Sequence, residues 1–269
     1  MTDKLVDSGP VLLDLDADGV ARLRLNRPEA ANGMNVDLLK ALHGAIMLLH
    51  GESRVRAVVL SGEGRNFCAG GDVRDFASKG EGLPDYLREA TGWLQIAVSA
   101  LVQLRPPVIA AVHGFAAGGG GFGLACAADL VVAAESAKFF SGAVRVGMAP
   151  DAGVTVTLAR LVGLRKAMEI LLTNPTLTAR EALDLGLLTK VVPDERVQDE
   201  ALALAGTIVA LPPKAIAATK RLLWHGLGSS LDSQLPEEAR TVSELSGTAD
   251  SLEGLAAVIE RRQPKFTGR

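Results

Sequence analysis

Two glycine-rich turns and one aspartate carry the residue types in this sequence that could do chemistry. Four consecutive glycines occupy 118–121, just after the apolar segment 108–112, and an earlier turn contains Gly70 and Gly71. Glycine lets a backbone turn sharply and lets a ligand lie directly on bare N–H groups. A helix that follows such a turn has unpaired first N–H groups and a dipole that favours negative charge. The pattern predicts a site that holds an anion, permanent or developing, with Asp151 as its carboxylate.

Short strands and amphipathic helices alternate over most of the chain and would position these turns. The residue periodicity predicts strands over 11–16, 20–25, 55–60, 108–112, 130–134 and 187–192, and helices over 36–50, 83–104, 165–173 and 178–185. Thr178 and Glu181 form a capping box at the start of the last of these helices. Beyond residue 205 the pattern is helical throughout. We therefore expect an α/β fold with a core over 1–205 and a C-terminal helical region over 206–269.

Composition and charge exclude several classes of partner. A formal net charge of −3 over 269 residues argues against nucleic acid or an anionic membrane as the main partner. Cys68 and Cys126 are the two cysteines, and their wide separation fits a reducing compartment rather than a disulfide framework. No signal-peptide core, membrane-length apolar run or zinc-binding histidine spacing is found. We therefore expect a cytoplasmic protein without a metal site.

Four motifs, spread over nearly the whole chain, occur together in one order: NRPEAANGMN, RNFCAGGDV, RPPVIAAVHGFAAGGG and GLLTKVVP. They resemble the motifs of the enoyl-CoA hydratase/isomerase (crotonase) family. The resemblance implies a spiral of repeated ββα units, and a C-terminal helical region that forms a homotrimer or a dimer of trimers (a hexamer). It also implies acyl-CoA thioesters as substrates. Coenzyme A would then enter as part of the substrate, and no cofactor would be bound permanently.

The resemblance assigns roles to individual residues. Gly71 and Gly120 fall where the family has its oxyanion hole, the two backbone N–H groups that hold the thioester oxygen as it becomes an enolate. Such preorganised donors stabilise the transition state more than the substrate. The residues expected to bind the CoA thioester are Arg27, Ala30, Ala69, Gly71, Asp72, Val73, Gly119, Gly120, Lys265 and Phe266. The last two would approach the CoA of a neighbouring subunit.

Two glutamates that activate water in hydratases of the family are missing here. Their positions hold Gly123 and Ala143. Asp151 instead falls where some isomerases of the family, including the ring-epoxide isomerase of the phenylacetate pathway, keep a catalytic aspartate. We therefore expect an isomerase that shifts a C=C bond, with Asp151 moving the proton. Two alternatives remain open: a hydratase (a lyase) of fatty-acid β-oxidation with displaced carboxylates, and a non-catalytic member that binds acyl-CoA.

Other residues have competing interpretations. Gly118, Gly120 and Gly123 also spell the GxGxxG of dinucleotide sites, but only about ten residues separate them from the next strand, too few for the crossover helix. We expect Asp129 to be structural, because it ends a small-residue helix where a strand begins. The remaining expectations concern packing: His113, Cys68 and Cys126 in the core, and Val144, Met148 and Phe122 as walls of the acyl pocket, together with the segment 73–95.

Overall fold

The structure is a computed structural model that describes residues 2–269 and contains two sheets. The strands are β1 (Asp3–Val6), β2 (Val11–Leu15), β3 (Val20–Leu25), β4 (Ala57–Gly62), β5 (Val108–Val112), β6 (Phe115–Ala117), β7 (Leu130–Ala134), β8 (Lys138–Phe140), β9 (Leu177–Thr178) and β10 (Lys190–Val192). The large sheet has the order β1-β2-β3-β4-β5-β7-β10, and the small sheet has the order β6-β8-β9. β1 to β3 pair antiparallel, whereas β3, β4, β5, β7 and β10 pair parallel.

The central parallel strands β4 and β5 are buried on both faces, as their largely apolar sequences predict. Every residue of β4 and of β5 is buried. The predicted strands are present, although β4 begins two residues later than expected and β10 covers only Lys190–Val192. β1, β6, β8 and β9 were not predicted. They have two to four residues each, which is too short for a periodic pattern to show.

Eleven α-helices lie among the described residues: α1 (Val36–Gly51), α2 (Val73–Ser78), α3 (Leu83–Val102), α4 (Leu124–Ala127), α5 (Val154–Val162), α6 (Leu164–Thr173), α7 (Ala179–Asp184), α8 (Val197–Val209), α9 (Pro213–Gly226), α10 (Leu231–Ser246) and α11 (Ala249–Glu260). The predicted capping box is present, since Thr178 and Glu181 bond each other's backbone N–H at the start of α7. α4 continues a wider, π-type turn over Gly119–Gly123. The chain thus passes from β5 of the large sheet to β6 of the small one, through a helix to β7, and on to β8.

Helix α8 packs against the large sheet. Ala201 and Ala205, both fully buried, lie among its core residues. Residue 205, where the sequence pattern changes, therefore lies inside this helix, which continues to Val209. In the part of the chain that the structure describes, no single helix is long and apolar enough to cross a membrane. Two consecutive helical segments, Asp194–Val209 and Pro213–Gly226, have the length and composition of a membrane span only when taken together. The chain bends by 108° between them.

Asp129 joins the C-terminal helices to the sheet. One carboxylate oxygen accepts a hydrogen bond from Val108 N (2.7 Å) and pairs with Lys220 Nζ (2.7 Å). The other oxygen accepts a hydrogen bond from Trp224 Nε1 (2.9 Å). Because Lys220 and Trp224 both lie on α9, one half-buried carboxylate fixes this helix at the start of β5. The expectation that Asp129 is structural is confirmed.

Candidate active site

Backbone pairing brings the two glycine-rich turns together. Cys68 forms a parallel bridge with Ala116, through hydrogen bonds of 3.0 and 2.9 Å on either side of Ala116. The turns that follow then touch, because a Cβ on Gly118 would lie only 3.0 Å from the Cα of Gly70. Both glycines have left-handed backbones, with φ of +60° at Gly118 and +97° at Gly70. Residues with side chains rarely adopt these angles, so this close approach requires glycine.

The two predicted oxyanion donors are available for a ligand. Gly71 and Met34 form a parallel β-bridge, but its hydrogen bonds are made by the residues on either side of Gly71. Met34 N–H donates to Gly70 O (2.8 Å), and Asp72 N–H donates to Met34 O (2.9 Å). The N–H of Gly71 itself points away from the bridge. Gly120 lies in the first turn of a helix, where N–H groups have no intrahelical acceptor. Both residues line the same cavity.

Neither donor position has room for a side chain. A Cβ on Gly71 would lie 2.5 Å from the ring of Phe76. A Cβ on Gly120 would lie 2.9 Å from Met34 Sδ and 3.0 Å from Cys68 Sγ. Packing against bare Cα atoms therefore holds both N–H groups in place, which is the preorganisation that an oxyanion hole requires.

The carboxyl group of Asp151 lies against the second glycine turn. Its Oδ1 is 1.7 Å from the position that a Cβ on Gly119 would take, so the carboxyl group fills the space left by the missing side chain. The turn that carries Asp151 has left-handed backbone at Ala152 (φ +53°) and Gly153 (φ +74°), after which α5 begins. Burial raises the pKa of Asp151 above its usual range, and a hydrogen bond within the residue acts weakly the other way. An aspartate with a raised pKa is suited to take and return protons near neutrality.

A cavity of about 460 Å³ contains these groups. Six of the predicted site residues line it: Ala69, Gly71, Val73, Gly119, Gly120 and Asp151. Most of the remaining wall is apolar. One face of α3 contributes Leu87, Ala90 and Leu94, and the segment after β8 contributes Met148. The cavity thus combines two N–H donors and one carboxyl group with an apolar chamber, as expected for an acyl chain next to a reacting thioester.

Arg27, Ala30 and Asp72 do not line this cavity, although Asp72 lies between Gly71 and Val73, which do. Arg27 pairs with Asp72 (3.0 Å) and donates to Gly33 O (2.5 Å). Asp72 also caps α2 by accepting a hydrogen bond from Asp75 N. These contacts hold the first glycine turn, and a role in binding CoA stays a prediction for the three residues.

Lys265 and Phe266 lie in the C-terminal tail, which folds back on α11. Lys265 N donates to Glu253 (2.8 Å), and the ring of Phe266 packs beside Gly254. The buried carboxylate of Asp250 accepts hydrogen bonds from the two residues that follow Phe266 (2.6 and 2.8 Å). The tail is therefore fixed, but neither residue lines the cavity of its own chain. Their approach to the CoA of a neighbouring subunit stays a prediction.

The position of the first missing glutamate is closed. A Cβ on Gly123 would lie 2.6 Å from the Cβ of Ala152, whose left-handed backbone directs its methyl group there. Ala143, at the second position, lines the cavity with a methyl group only. Among residues 2–269, Asp151 is the one acidic side chain that lines this cavity. The site therefore lacks a pair of carboxylates.

Several packing expectations need correction. His113 is not in an apolar core: it is half-buried, its Nε2 lies 3.0 Å from Gly64 O, and it lines a polar cavity on another part of the molecule. Phe122 is a core residue (1% exposed), and Val144 faces solvent, so neither is a wall of the pocket. Cys68 and Cys126 are buried as expected, and burial raises the pKa of each thiol to about 12.

Phe76, Ser141 and Arg145 line the cavity but were not singled out from the sequence. Phe76 lies on α2 within the 73–95 segment, which was expected to supply pocket walls. No periodic pattern marks Ser141 and Arg145, because they lie in the irregular chain between β8 and α5. Within residues 2–269, no group of three His, Cys, Asp or Glu side chains is placed to hold a metal ion. The glycine run follows β6 of the small sheet, whereas in a dinucleotide site it follows a strand of the main parallel sheet, and the helical segment after it ends at Ala127.

Comparison with known proteins gives consistent relatives. A "Probable enoyl-CoA hydratase" of Rhodobacter capsulatus is 41% identical over 253 residues, which cover 94% of this chain and 96% of that protein. A "1,2-epoxyphenylacetyl-CoA isomerase" of Escherichia coli is 36% identical over 253 residues, covering 93% and 96%. The crystal structure of an enoyl-CoA hydratase from Bacillus anthracis superposes with a TM-score of 0.92 at 32% identity, covering 97% of this chain and all of that one.

The family description "Enoyl-CoA hydratase/isomerase" matches residues 16–269, nearly the whole chain. The superposition with a solved hydratase also confirms the predicted crotonase-like α/β fold. The glycine turns, the cavity and these relatives lead to one conclusion: this chain belongs to the enoyl-CoA hydratase/isomerase family of acyl-CoA enzymes.

Proposed function

We propose that this protein is an enoyl-CoA isomerase that shifts a C=C bond along the acyl chain, with Asp151 as the proton shuttle. The observation that carries the proposal is the position of Asp151. Its carboxyl group lies in the cavity against Gly119, next to the donor Gly120, and burial raises its pKa. A single carboxyl group suffices for an isomerase, because the proton removed from one carbon is the proton returned to another.

The proposed reaction begins when the thioester oxygen of a 3-enoyl-CoA accepts hydrogen bonds from the N–H groups of Gly71 and Gly120. Asp151 removes a proton from C2, and the electrons of that C–H bond move onto the thioester oxygen as the enolate forms. The two N–H groups stabilise this developing charge, and losing one such donor typically costs roughly 10²–10³ in rate. Protonated Asp151 then delivers the proton to C4. The enolate oxygen re-forms the thioester C=O, the C1=C2 electrons of the enolate become the C2=C3 bond, the C3=C4 electrons bond the proton at C4, and the carboxylate is restored.

A hydratase is the alternative, and the name of the Rhodobacter capsulatus relative favours it. Hydration requires one group to position water and another to protonate the neighbouring carbon. Here Ala152 fills the space beside Gly123, and Ala143 offers only a methyl group. The name of the Escherichia coli relative, an isomerase, favours our proposal. A non-catalytic role is the third possibility, and the experiment below distinguishes all three.

The assembly and its location belong to the same proposal. Large apolar side chains on the C-terminal helices are exposed, including Leu223, Leu231, Val242, Val258 and Ile259. A monomer would leave this exposed apolar area in water. We propose that it is covered in a homotrimer or a dimer of trimers. Cys68 and Cys126 are free and buried, which fits a reducing cytoplasm. Coenzyme A takes part only as a portion of the substrate.

Asp151→Asn tests the proposed function. Asparagine keeps the size and polarity of the side chain but cannot accept the proton, so conversion of 3-hexenoyl-CoA to its 2-enoyl isomer should be abolished. Acyl-CoA affinity should stay within a few-fold of the wild type. Efficient hydration of crotonyl-CoA by the wild type would support the hydratase instead. Acyl-CoA binding without turnover of any thioester would support the non-catalytic role.

A further inference from the structure

Four side chains with polar groups line the otherwise apolar cavity: Thr91, Ser141, Arg145 and Asp151. Three of them already have a role or a partner. Thr91 Oγ1 donates to a carbonyl of its own helix (2.7 Å), and Arg145 donates to the carbonyl of Asn174 (2.5 Å). Asp151 is the proposed proton shuttle. Ser141 is the one with neither a role in the proposed reaction nor a hydrogen-bond partner.

Ser141 is 3% exposed, yet within residues 2–269 its hydroxyl group has no hydrogen-bond partner. Among the described residues, three side-chain polar atoms are fully enclosed and unpaired, and none of them belongs to Ser141. The unpaired Ser141 hydroxyl is therefore not fully enclosed and touches open space. The space that Ser141 lines is the cavity. Its backbone carbonyl approaches Gly118, which places the residue beside the second glycine turn. A buried, unpaired donor thus belongs to a residue in the cavity wall, beside the second glycine turn.

An acyl chain that fills this cavity would displace the water around Ser141. A purely apolar chain would leave the hydroxyl group without any partner, which is costly for a buried donor. An oxygen atom on the acyl chain would instead accept a hydrogen bond from it. A site built around such a bond discriminates strongly against the analogue that lacks the oxygen.

We propose that Ser141 determines specificity by donating a hydrogen bond to an oxygen atom on the acyl chain of the substrate. The substrate class is then an oxygenated acyl-CoA, in which a hydroxyl, ether or carbonyl oxygen lies within a few carbons of the thioester. This inference rests on the proposed function only in taking acyl-CoA as the ligand of this cavity. It does not depend on which bond the enzyme rearranges.

Binding of saturated acyl-CoAs tests the inference without turnover of a C=C bond. Hexanoyl-CoA is compared with its 3-, 4-, 5- and 6-hydroxy derivatives by isothermal titration calorimetry. For the wild type, at least one hydroxy derivative should bind about 10- to 100-fold more tightly than hexanoyl-CoA. Ser141→Ala should abolish this preference, and should bind hexanoyl-CoA more tightly than the wild type, because no hydroxyl group is left unpaired.

Thr91→Val is the matched control, since it removes a hydroxyl group that lines the same cavity but is already paired. It should keep the preference for the hydroxy derivative. The inference is overturned if no hydroxy derivative binds more tightly than hexanoyl-CoA, or if the preference survives in Ser141→Ala. Failure of the proposed function is distinguishable, because it shows as turnover that survives in Asp151→Asn, whatever the binding preferences are.

Discussion

Replacing Gly119 with alanine tests the position of the Asp151 carboxyl group directly. The new Cβ would lie 1.7 Å from Asp151 Oδ1, whereas a Cβ atom in a folded protein stays at least about 3 Å from other non-bonded heavy atoms. Gly119 has no left-handed backbone, and it opens a helix, so alanine fits the backbone itself. The conflict is therefore with the end of one side chain. The carboxyl group must retreat by more than about 1 Å, while the fold stays intact.

A displacement of about 1 Å at a reacting group costs on the order of 10²-fold in rate. Gly119→Ala should therefore lower kcat for 3-hexenoyl-CoA isomerisation about 100-fold, with a melting temperature close to that of the wild type. The assay follows formation of the conjugated thioester by absorbance under saturating substrate. Thermal unfolding is followed in parallel, so that a loss of rate is not mistaken for a loss of fold.

Two other glycines supply controls. Gly92, on α3, has no atom within 4 Å of its would-be Cβ, so Gly92→Ala should leave kcat unchanged and stabilise the helix by about 0.5–1 kcal/mol. Gly121→Ala would place a Cβ 2.1 Å from the carbonyl oxygen of Cys68, a backbone conflict that should lower the melting temperature. A folded Gly119→Ala variant with wild-type kcat would refute the assignment of Asp151 as the proton shuttle.

Three further measurements probe other parts of the structure. Burial raises the pKa of Asp151 in the folded state, so a cost to folding appears as the pH rises through the pKa of the unfolded state and is fully present above that of the folded state. Asp151→Asn should thus raise the melting temperature at pH 7, and the gain should vanish below about pH 4, where the aspartate is protonated in both states; a lower melting temperature at pH 7 would contradict this. Asp129→Ala leaves Lys220 buried without its partner and should cost about 3–5 kcal/mol by urea unfolding, whereas loss of the exposed pair through Asp85→Ala should change little. Light scattering at micromolar concentration should give a trimer or a hexamer, and a monomer would contradict the proposed assembly.

The sequence predicted the fold wherever a pattern was long enough to be periodic. The buried parallel strands and the long helices were found because unbroken apolar segments and 3.6-residue spacing extend over many residues. The small sheet was missed because its strands have only two or three residues, and their pairing comes from the meeting of distant segments. The expected boundary at residue 205 lies inside α8, which continues to Val209. The last strand ends earlier, at Val192, so the end of the strands does not mark the end of the core.

For the site, motif resemblance located the glycine turns and Asp151, because these features are local in the chain. The resemblance could not indicate which side chains pack around them. Ser141 and Ala152 act through neighbours that lie more than twenty residues away in sequence, and His113 was misplaced for the same reason. Composition around His113 is apolar, but its Nε2 lies 3.0 Å from Gly64 O, and it lines a cavity that charged residues from other segments also line.

The methyl group of Ala152 determines the order in which mutations at positions 152 and 123 could add a carboxylate to this site. Glutamate at position 123 meets that methyl group at 2.6 Å, so this substitution alone is blocked. Glycine at position 152 removes the methyl group and also relieves the left-handed backbone at φ +53°. The change at 152 is therefore permissive, and the change at 123 can follow it but not precede it. This epistasis between two positions in contact closes the one-step route to a second carboxylate at position 123, whereas position 143 already lines the cavity.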